Sequence, residues 1–429
     1  MSETEVSHLS PKRVFIIGAG MSADCGVPII RNFLEDRFLS LVNEEDQKKI
    51  LKFLSDVYLP DNTPNIEEIL SEIDNCLIEG SPLKNYSPEE LFSLRQVFVN
   101  AIIEIIAKTW DKINTDLDIG PIDNPYAAYL CDEEDMGGVI RAKNILNMER
   151  ELEYYRSLRD GSCKDDGDIS SLSSEAQGYV RNYCKFAKIV DPGDTILTFN
   201  YDHFLEFALS GVLDRTDIDY GVNYCELSPD VDLACHGPIC YRIRPPDWVK
   251  YKLHVFRLHG SINWGRCTNC GELFVTYLTP WSGVQKYIEY IKTLPPKEQE
   301  RYFCCEKFDP KSLIVPPFGK KVERSPYLIE ISNAAIEKIA EADELYFLGY
   351  SLATSDTKIR DIIHEAKIHR HGKRWNKVVV VHTRIPDVTK NYEEVFGDFI
   401  PFNGKVAEYL DSIPDSDKPF HDPPKEIVL

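Results

Sequence analysis

The sequence predicts an α/β fold built on an open, Rossmann-like parallel sheet, with a large helical insertion and a small cysteine-containing ribbon. Three observations predict it. Val14-Phe15-Ile16-Ile17 is a continuous apolar run of the kind buried parallel strands carry, and it ends in Gly18-Ala19-Gly20. Short apolar runs return at Thr195–Thr198, Val255–Leu258, Glu344–Leu348 and Val378–Val381, each followed by polar or glycine residues. Residues 32–190, between the first run and the others, read mostly as helix and are too long for a simple βα crossover.

The bulk numbers bound the answer. The chain has 429 residues, 43% hydrophobic and 28% charged, which is ordinary globular composition with room for more than one domain. Its net charge of −21 comes from 70 acidic against 49 basic residues. That argues against a nucleic-acid-binding body, so no direct nucleic-acid contact is expected. The N-terminus, MSETEVSHLSPKR, is polar and unlike a signal peptide, and no apolar run approaches ~20 residues, so no membrane span is expected. Twelve cysteines without a secretory signal point to a reducing, cytoplasmic compartment, with most of them buried as small apolar residues.

In chain order, residues 1–12 read as a disordered lead. Glycines after the first strand let the backbone turn sharply, and a following helix would aim free N–H groups at an anion such as a diphosphate. Ala23 takes the place of the usual third glycine of a dinucleotide fingerprint. The same residues also fit a tight strand–helix turn with no ligand. Asn65–Leu77 has helical apolar spacing, and Ser87-Pro88-Glu89-Glu90 reads as an N-cap opening a helix that runs to about Ile113. A further helix is expected around Ile140–Tyr155, then a loop over 159–175. The sheet pattern resumes at Thr195, with Ser312–Val315 as a shorter strand. Helices are expected at Leu328–Ala342, Ser355–His369 and near Val406–Leu410. These readings place a sheet domain at 13–31 and 191–388, a helical insertion or lid at 32–190, a cysteine-containing module at 265–310 and a tail at 389–429.

Ligand sites in open parallel sheets lie at the carboxyl ends of the strands. Asn200 and His259 stand at two such ends. An amide can hold a hydroxyl or orient a water without adding charge, and an imidazole can take a proton near neutrality. Each residue also has a plain structural reading, as a helix-capping turn residue and as a satisfied buried histidine. Asp202 fits a helix cap or a ribose contact. Ser22, Ser351 and Thr383 are candidate hydrogen-bonders to phosphate or ribose. Arg31 is a candidate bidentate phosphate donor or a surface charge. Ile29, Ile30 and Phe33 fit a ring pocket or the core, and Asn263-Trp264 reads as packing. Cys267-x-x-Cys270 is half of a tetrahedral thiolate site, and Cys304 and Cys305 are adjacent where a second such pair would stand. That spacing leaves open a structural zinc on four thiolates, metal-free paired hairpins or a redox pair.

Taken together, these pieces resemble a family. GAGMSADCGVPIIR resembles the first sirtuin motif, GAG-x-S-x-x-x-G-[IV]-P-D-F-R. Gly18, Ala19, Gly20, Ser22, Gly26, Val27, Pro28 and Arg31 fit it, while Ile29 and Ile30 replace its Asp-Phe. TFNYD (Thr198–Asp202) resembles the sirtuin TQNID, with Phe199 in place of Gln. LHGS (Leu258–Ser261) resembles the catalytic His-Gly motif, and GYSL (Gly349–Leu352) resembles the GTSL ribose and phosphate contact. Cys267 follows His259 at the interval sirtuins use before their structural zinc. Asp61–Glu67 also resembles the insertion of the sirtuin-like NADases of prokaryotic anti-phage defence.

This resemblance implies a sirtuin fold and an NAD+ glycohydrolase that releases nicotinamide and ADP-ribose, depleting NAD+ during infection. It makes Asn200 and His259 catalytic. Gly18, Ala19, Gly20, Ser22, Arg31, Asp202, Gly349, Ser351 and Thr383 would bind NAD+. Cys267, Cys270, Cys304 and Cys305 would hold a structural Zn2+. It also implies control of a toxic activity by a homo-oligomer or a separate partner chain, such as a helicase-type ATPase. The alternatives are an NAD-dependent lysine deacylase and a non-catalytic NAD or ADP-ribose sensor.

Overall fold

A computed structural model of the chain describes residues 11–58, 64–117, 169–191, 193–210, 218–226, 241–242, 253–275, 292–293, 295, 305, 310–314, 326–354 and 356–414. The expected lead over 1–10, the residues 61–63, the helix at 140–155, most of the loop at 159–175 and Cys304 lie outside the described residues.

In chain order the strands are β1 (Arg13–Ile17), β2 (Thr195–Thr198), β3 (Ile218–Asp219), β4 (Cys225–Glu226), β5 (Tyr241–Arg242), β6 (Leu253–Arg257), β7 (Gly260–Cys267), β8 (Leu273–Val275), β9 (Pro310–Ile314), β10 (Glu344–Leu348), β11 (Lys377–His382) and β12 (Ile400–Asn403). Seven of them form the main sheet, in the order β12-β11-β10-β1-β2-β6-β3, and every neighbouring pair is parallel. The apolar runs explain this. Val14 to Ile17, Thr195 to Thr198 and Val378 to Val381 are buried on both faces, as strands sandwiched between helix layers must be. From β1 the chain builds outward through β2 and β6, then returns to place β10 on the other side of β1. The strand order therefore reverses at β1, and the carboxyl ends of β1 and β10 flank a topological switch point.

The strand at 310–314 does not join this sheet. It pairs antiparallel with β7 in a second, five-stranded sheet of order β5-β4-β8-β7-β9. The main sheet also continues beyond residue 388. Strand β12 pairs with β11 as an outermost strand, where Pro401 removes one backbone donor at little cost.

The described helices are α1 (Ala19–Ala23), α2 (Asp36–Leu39), α3 (Glu44–Val57), α4 (Ile66–Glu79), α5 (Pro88–Asp116), α6 (Ser174–Tyr179), α7 (Lys185–Ala187), α8 (Phe204–Ser210), α9 (Pro326–Glu341), α10 (Thr357–His369), α11 (Ile385–Phe396) and α12 (Val406–Ser412). A π turn, Val180–Cys184, joins α6 to α7. Helices α4 and α5 both open with a capping box. Asn65 with Glu68, and Ser87 with Glu90, bond each other's backbone N–H groups reciprocally. Together α3, α4 and α5 bury one continuous apolar face, with Phe53 edge-on to Phe98 at 5.7 Å. Trp110 on α5 packs against Phe207 of α8 at 4.3 Å, which fastens these helices to the layer covering β2. Arg95 on α5 grips Asp74 of α4 with two hydrogen bonds of 2.6 and 3.2 Å and donates a third to the Ile314 carbonyl of β9. The helical segment is thereby tied to both sheets. Among the described residues no helix is long and apolar enough to cross a membrane.

Candidate active site

A cavity of about 640 Å³ opens over the carboxyl ends of the main-sheet strands, at the switch point. Ala19, Gly20, Ser22, Arg31, Asn200, Asp202, His259, Gly349, Ser351 and Thr383 all line it. Of the residues singled out for substrate contact, Gly18 alone stands behind the wall, as part of the junction beneath it. Ile29, Ile30 and Phe33 also face the cavity.

The glycine turn is built by strand-to-strand contact. A Cβ on Gly18 would lie 2.7 Å from the Gly349 carbonyl, and one on Gly20 would lie 2.7 Å from the Gly349 Cα. Gly349 itself has φ of +62°, which disfavours any side chain. The Gly18 and Gly20 N–H groups donate to Leu348 and Gly349 at 3.1 and 3.0 Å. Those two donors are thus spent on closing the β1–β10 junction and are not available to a phosphate. The Ala19 N–H, at the start of the single-turn helix α1, makes no hydrogen bond to the described residues.

Asn200 is held from three sides. Its Nδ2 donates to the Gly18 carbonyl at 3.1 Å, to Ser22 Oγ at 2.8 Å and to Tyr183 Oη at 3.3 Å. The carbonyl acceptor fixes which way the amide points, and Oδ1 is left without a hydrogen bond. The Asn200 carbonyl accepts from Arg257 Nη1 at 2.9 Å, and Arg257 is fully buried against Glu206. Ser22 donates to Asp202 Oδ2 at 2.7 Å and sits 2.6 Å from Tyr183 Oη. Asp202 Oδ1 accepts the Phe204 N–H at the head of α8, so the carboxylate caps that helix. Burial raises the Asp202 pKa, and the Ser22 hydrogen bond opposes the rise. Ser22 and Asp202 therefore spend their polar groups on holding Asn200 in place, although both border the cavity.

His259 follows β6, one strand over from Asn200. The chain must turn sharply there into β7. Gly260 has φ of +72°, and a Cβ on it would lie 2.0 Å from the Leu313 carbonyl. His259 is 3% exposed, and neither ring nitrogen has a hydrogen-bond partner of full geometry. Burial pushes its pKa down to about 3, which the backbone of Phe199 partly opposes. It is a neutral imidazole at pH 7. Phe199 stands edge-on to it at 5.0 Å and stacks on Tyr350 at 4.8 Å. Tyr201 lies 6.2 Å away on the other side. The histidine end of the cavity is thus walled by aromatic rings.

Three cations also line the cavity. Arg31 is exposed and makes no ion pair with the described residues. Arg384 pairs with Asp387 at 3.4 Å and Lys405 with Asp24 at 2.9 Å, and all four line the cavity beyond β11 and β12.

The sequence reading missed several of these residues. Tyr183, Arg257 and Glu206 build the cradle of Asn200 only through long-range contacts. Lys405 lies beyond the last strand expected. Glu67 of α4 also lines the cavity. It shares a helix face with Leu70 and Asp74, a pattern that puts an acid among buried residues and that could have drawn notice.

Away from the cavity, Cys267, Cys270 and Cys305 bring their sulfurs within 4.8 Å of one another, with Cys267 and Cys305 at 3.7 Å. Four thiolates around zinc at ~2.3 Å would sit ~3.8 Å apart, so the three described thiols fit such a set. Trp264 beside them is buried against Tyr220 at 5.6 Å.

No protein-family model matches the chain, and no curated protein matches it. Among solved structures, it is similar to Sir2 in complex with the inhibitor EX-527, 2'-O-acetyl-ADP-ribose and deacetylated p53 peptide. That likeness has 12% identity and a TM-score of 0.31, over 93% of this chain and 91% of that one. A structure described under the mechanism and regulation of Sir2 enzymes gives 14% and 0.34 over 93% and 90%. A mutant Sir2 homologue complexed with 2'-O-acetyl ADP ribose gives 13% and 0.34 over 94% and 90%.

Proposed function

We propose that the cavity binds NAD+ and that the chain hydrolyses its nicotinamide–ribose bond, giving nicotinamide and ADP-ribose. The observation that carries this reading is the placing of Asn200 and His259 at the ends of adjacent parallel strands, β2 and β6, on one cavity at the switch point. The motif resemblance assigns these two residues to the reaction, and the geometry is compatible with it. The glycosidic carbon would lie over β2 and β6, the diphosphate over the β1–β10 junction and the adenosine half toward β11 and β12.

The chemistry asks little of an acid. When the C–N bond breaks, its electron pair goes to the ring nitrogen, and nicotinamide leaves neutral. The sugar develops oxocarbenium character, as in glycoside hydrolysis. Asn200 Oδ1 is free to accept from a ribose hydroxyl or the attacking water. Its amide is locked, so little reorganisation is needed in the transition state. Water forms the new C–O bond and loses its proton to solvent as it attacks the oxocarbenium-like carbon, with the neutral His259 ring accepting that water's hydrogen bond. Burial beneath the helical segment keeps other water out.

Several finer assignments rest on the resemblance and belong to this proposal. Cys267, Cys270 and Cys305, with Cys304, would hold a Zn2+ that braces the second sheet and takes no part in bond cleavage. Depletion of NAD+ on phage infection would be the purpose. A homo-oligomer or a separate ATPase-type chain would restrain it.

The test is product analysis on the whole chain. Incubated with NAD+, the protein should release nicotinamide and ADP-ribose in equal amounts. Asn200→Ala and His259→Ala, folded by thermal melt, should each lower that release by at least ~100-fold. NAD+ that binds yet is recovered intact, consumption that requires an acylated peptide, or variants as active as the parent would each overturn the reading.

A further inference from the structure

Glu67 is an acid in a place where a charge is costly. It projects from the first turn of α4 into the cavity wall and is 2% exposed. Its one hydrogen bond comes from the Tyr201 hydroxyl, which donates to Oε1 at 2.9 Å. Among the described residues no Lys, Arg or His nitrogen lies within ion-pair distance of it, and Oε2 makes no hydrogen bond. A carboxylate buried without a cation is costly, so such a group keeps its proton.

The groups around Glu67 agree. Tyr201 faces it from the end of β2, with His259 on the far side of the Tyr201 ring at 6.2 Å, and Asp356 and Tyr350 face it from beyond β10. Arg95 of α5 is committed to Asp74, and Glu68 follows on the same helix. Burial pushes the Glu67 pKa up to about 8. The Tyr201 hydrogen bond pulls it down, while Asp356 and Glu68 push it further up. At pH 7 the side chain is mainly a neutral acid, with one O–H donor on a cavity wall that it shares with the Phe199, Tyr201 and Tyr350 rings.

We propose that Glu67 contacts the substrate at the His259 end of the cavity, donating a hydrogen bond from Oε2 to the carboxamide oxygen of the nicotinamide half. This deepens the NAD+ reading and rests on it. The fit is chemical. A carboxamide is neutral and offers one carbonyl acceptor and one NH2 donor. An un-ionised carboxyl answers both, giving its proton from Oε2 and using the second lone pair of Oε1. Phe199, Tyr201, Tyr350 and Ile106 supply flat apolar surface for the ring. A carboxylate at the same place would repel the carbonyl oxygen and hold the cationic pyridinium in its ground state. The neutral acid grips the amide without that penalty. Above the pKa of Glu67 the donor is lost and the grip fails.

Equilibrium binding tests this on the full chain, with two probes. One is ADP-ribose, which lacks the nicotinamide half. The other is a carbocyclic NAD+ analogue, which keeps that half and cannot be hydrolysed. Glu67→Ala should weaken the analogue by ~10-fold and leave ADP-ribose within twofold. Glu67→Gln, whose amide still donates, should bind the analogue within threefold of the parent. The parent's affinity for the analogue should fall as pH rises through about 8, and that of Glu67→Gln should not. Analogue binding untouched in Glu67→Ala, or a Gln variant as weak as the Ala variant, would overturn the assignment while the NAD+ reading stands. A parent that binds neither probe would overturn both.

Discussion

His259 and Asn200 are tuned in different ways. The imidazole is stripped of partners and held neutral by burial, with a pKa near 3. The acid limb of kcat/KM should therefore show no break at the ordinary histidine value, and a pH–rate profile from 5 to 7.5 checks this. The same burial has a stability consequence. His203 is also pushed down to about 3, chiefly by burial and then by Arg257, with both nitrogens unpartnered. Between pH 6.5 and 3 the unfolded chain binds protons that the folded chain refuses. Stability therefore falls as pH drops through that window, by up to ~1.4 kcal/mol per pH unit for each ring. Glu67 works in the opposite direction. Its folded pKa is raised, so between 4.5 and about 8 the folded form holds the extra proton, and stability falls as pH rises. Thermal melts of Glu67→Gln should show a gain over the parent at pH 8 that vanishes at pH 4. At this scale Asn200 and His259 were legible because each ends a strand in a short motif. The helix cap made by Asp202 was legible too, but the duty of Ser22 was not. Its hydroxyl looks like a ligand contact in sequence, and only the arrival of Tyr183, Asp202 and Asn200 shows it spent inside the protein.

At the scale of elements, the β1–β10 junction carries the cavity floor. Gly349→Ala would place a Cβ 2.7 Å from the Gly20 backbone at a φ of +62°. The backbone term alone is ~1–2 kcal/mol, and the clash adds to it, so a clear loss in chemical denaturation is expected. The glycine pattern was legible, and of its two readings the tight strand–helix turn has a visible reason: the glycines face one another across two strand ends. The buried strands were legible for the same reason that they are stable, namely unbroken apolar runs. Strand β12 was not, because Ile400-Pro401-Phe402-Asn403 is short, contains proline and is mostly exposed. Strand β9 was visible as a strand, yet its sheet was not. Only pairing with β7 assigns it, and pairing is not written in a single segment. The N-cap at Ser87 was readable in sequence, though its reciprocal bond from Glu90 was not, and Ser87→Ala should cost ~1 kcal/mol in a thermal melt.

The whole molecule joins a parallel sheet and a helical segment around one cavity, with a smaller mixed sheet fastened to the helical segment. Arg95 ties the helical segment to the smaller sheet. Arg95→Met removes both hydrogen bonds to the nearly fully buried Asp74 and the bond to Ile314. A loss on the order of 3–5 kcal/mol is expected, and pairing it with Asp74→Leu should restore most of it. Metal analysis of the purified chain should find about one zinc per chain, with Cys270→Ser lowering that content. The central claim is that Asn200 and His259 meet the glycosidic carbon of a dinucleotide laid across the sheet. A crystal structure with the carbocyclic NAD+ analogue bound tests it most directly. The account predicts the nicotinamide-bearing ring carbon between Asn200 Oδ1 and the His259 ring, with the adenosine half beside Arg384 and Lys405. An analogue bound outside this cavity, or lying in it the other way round, would contradict the account.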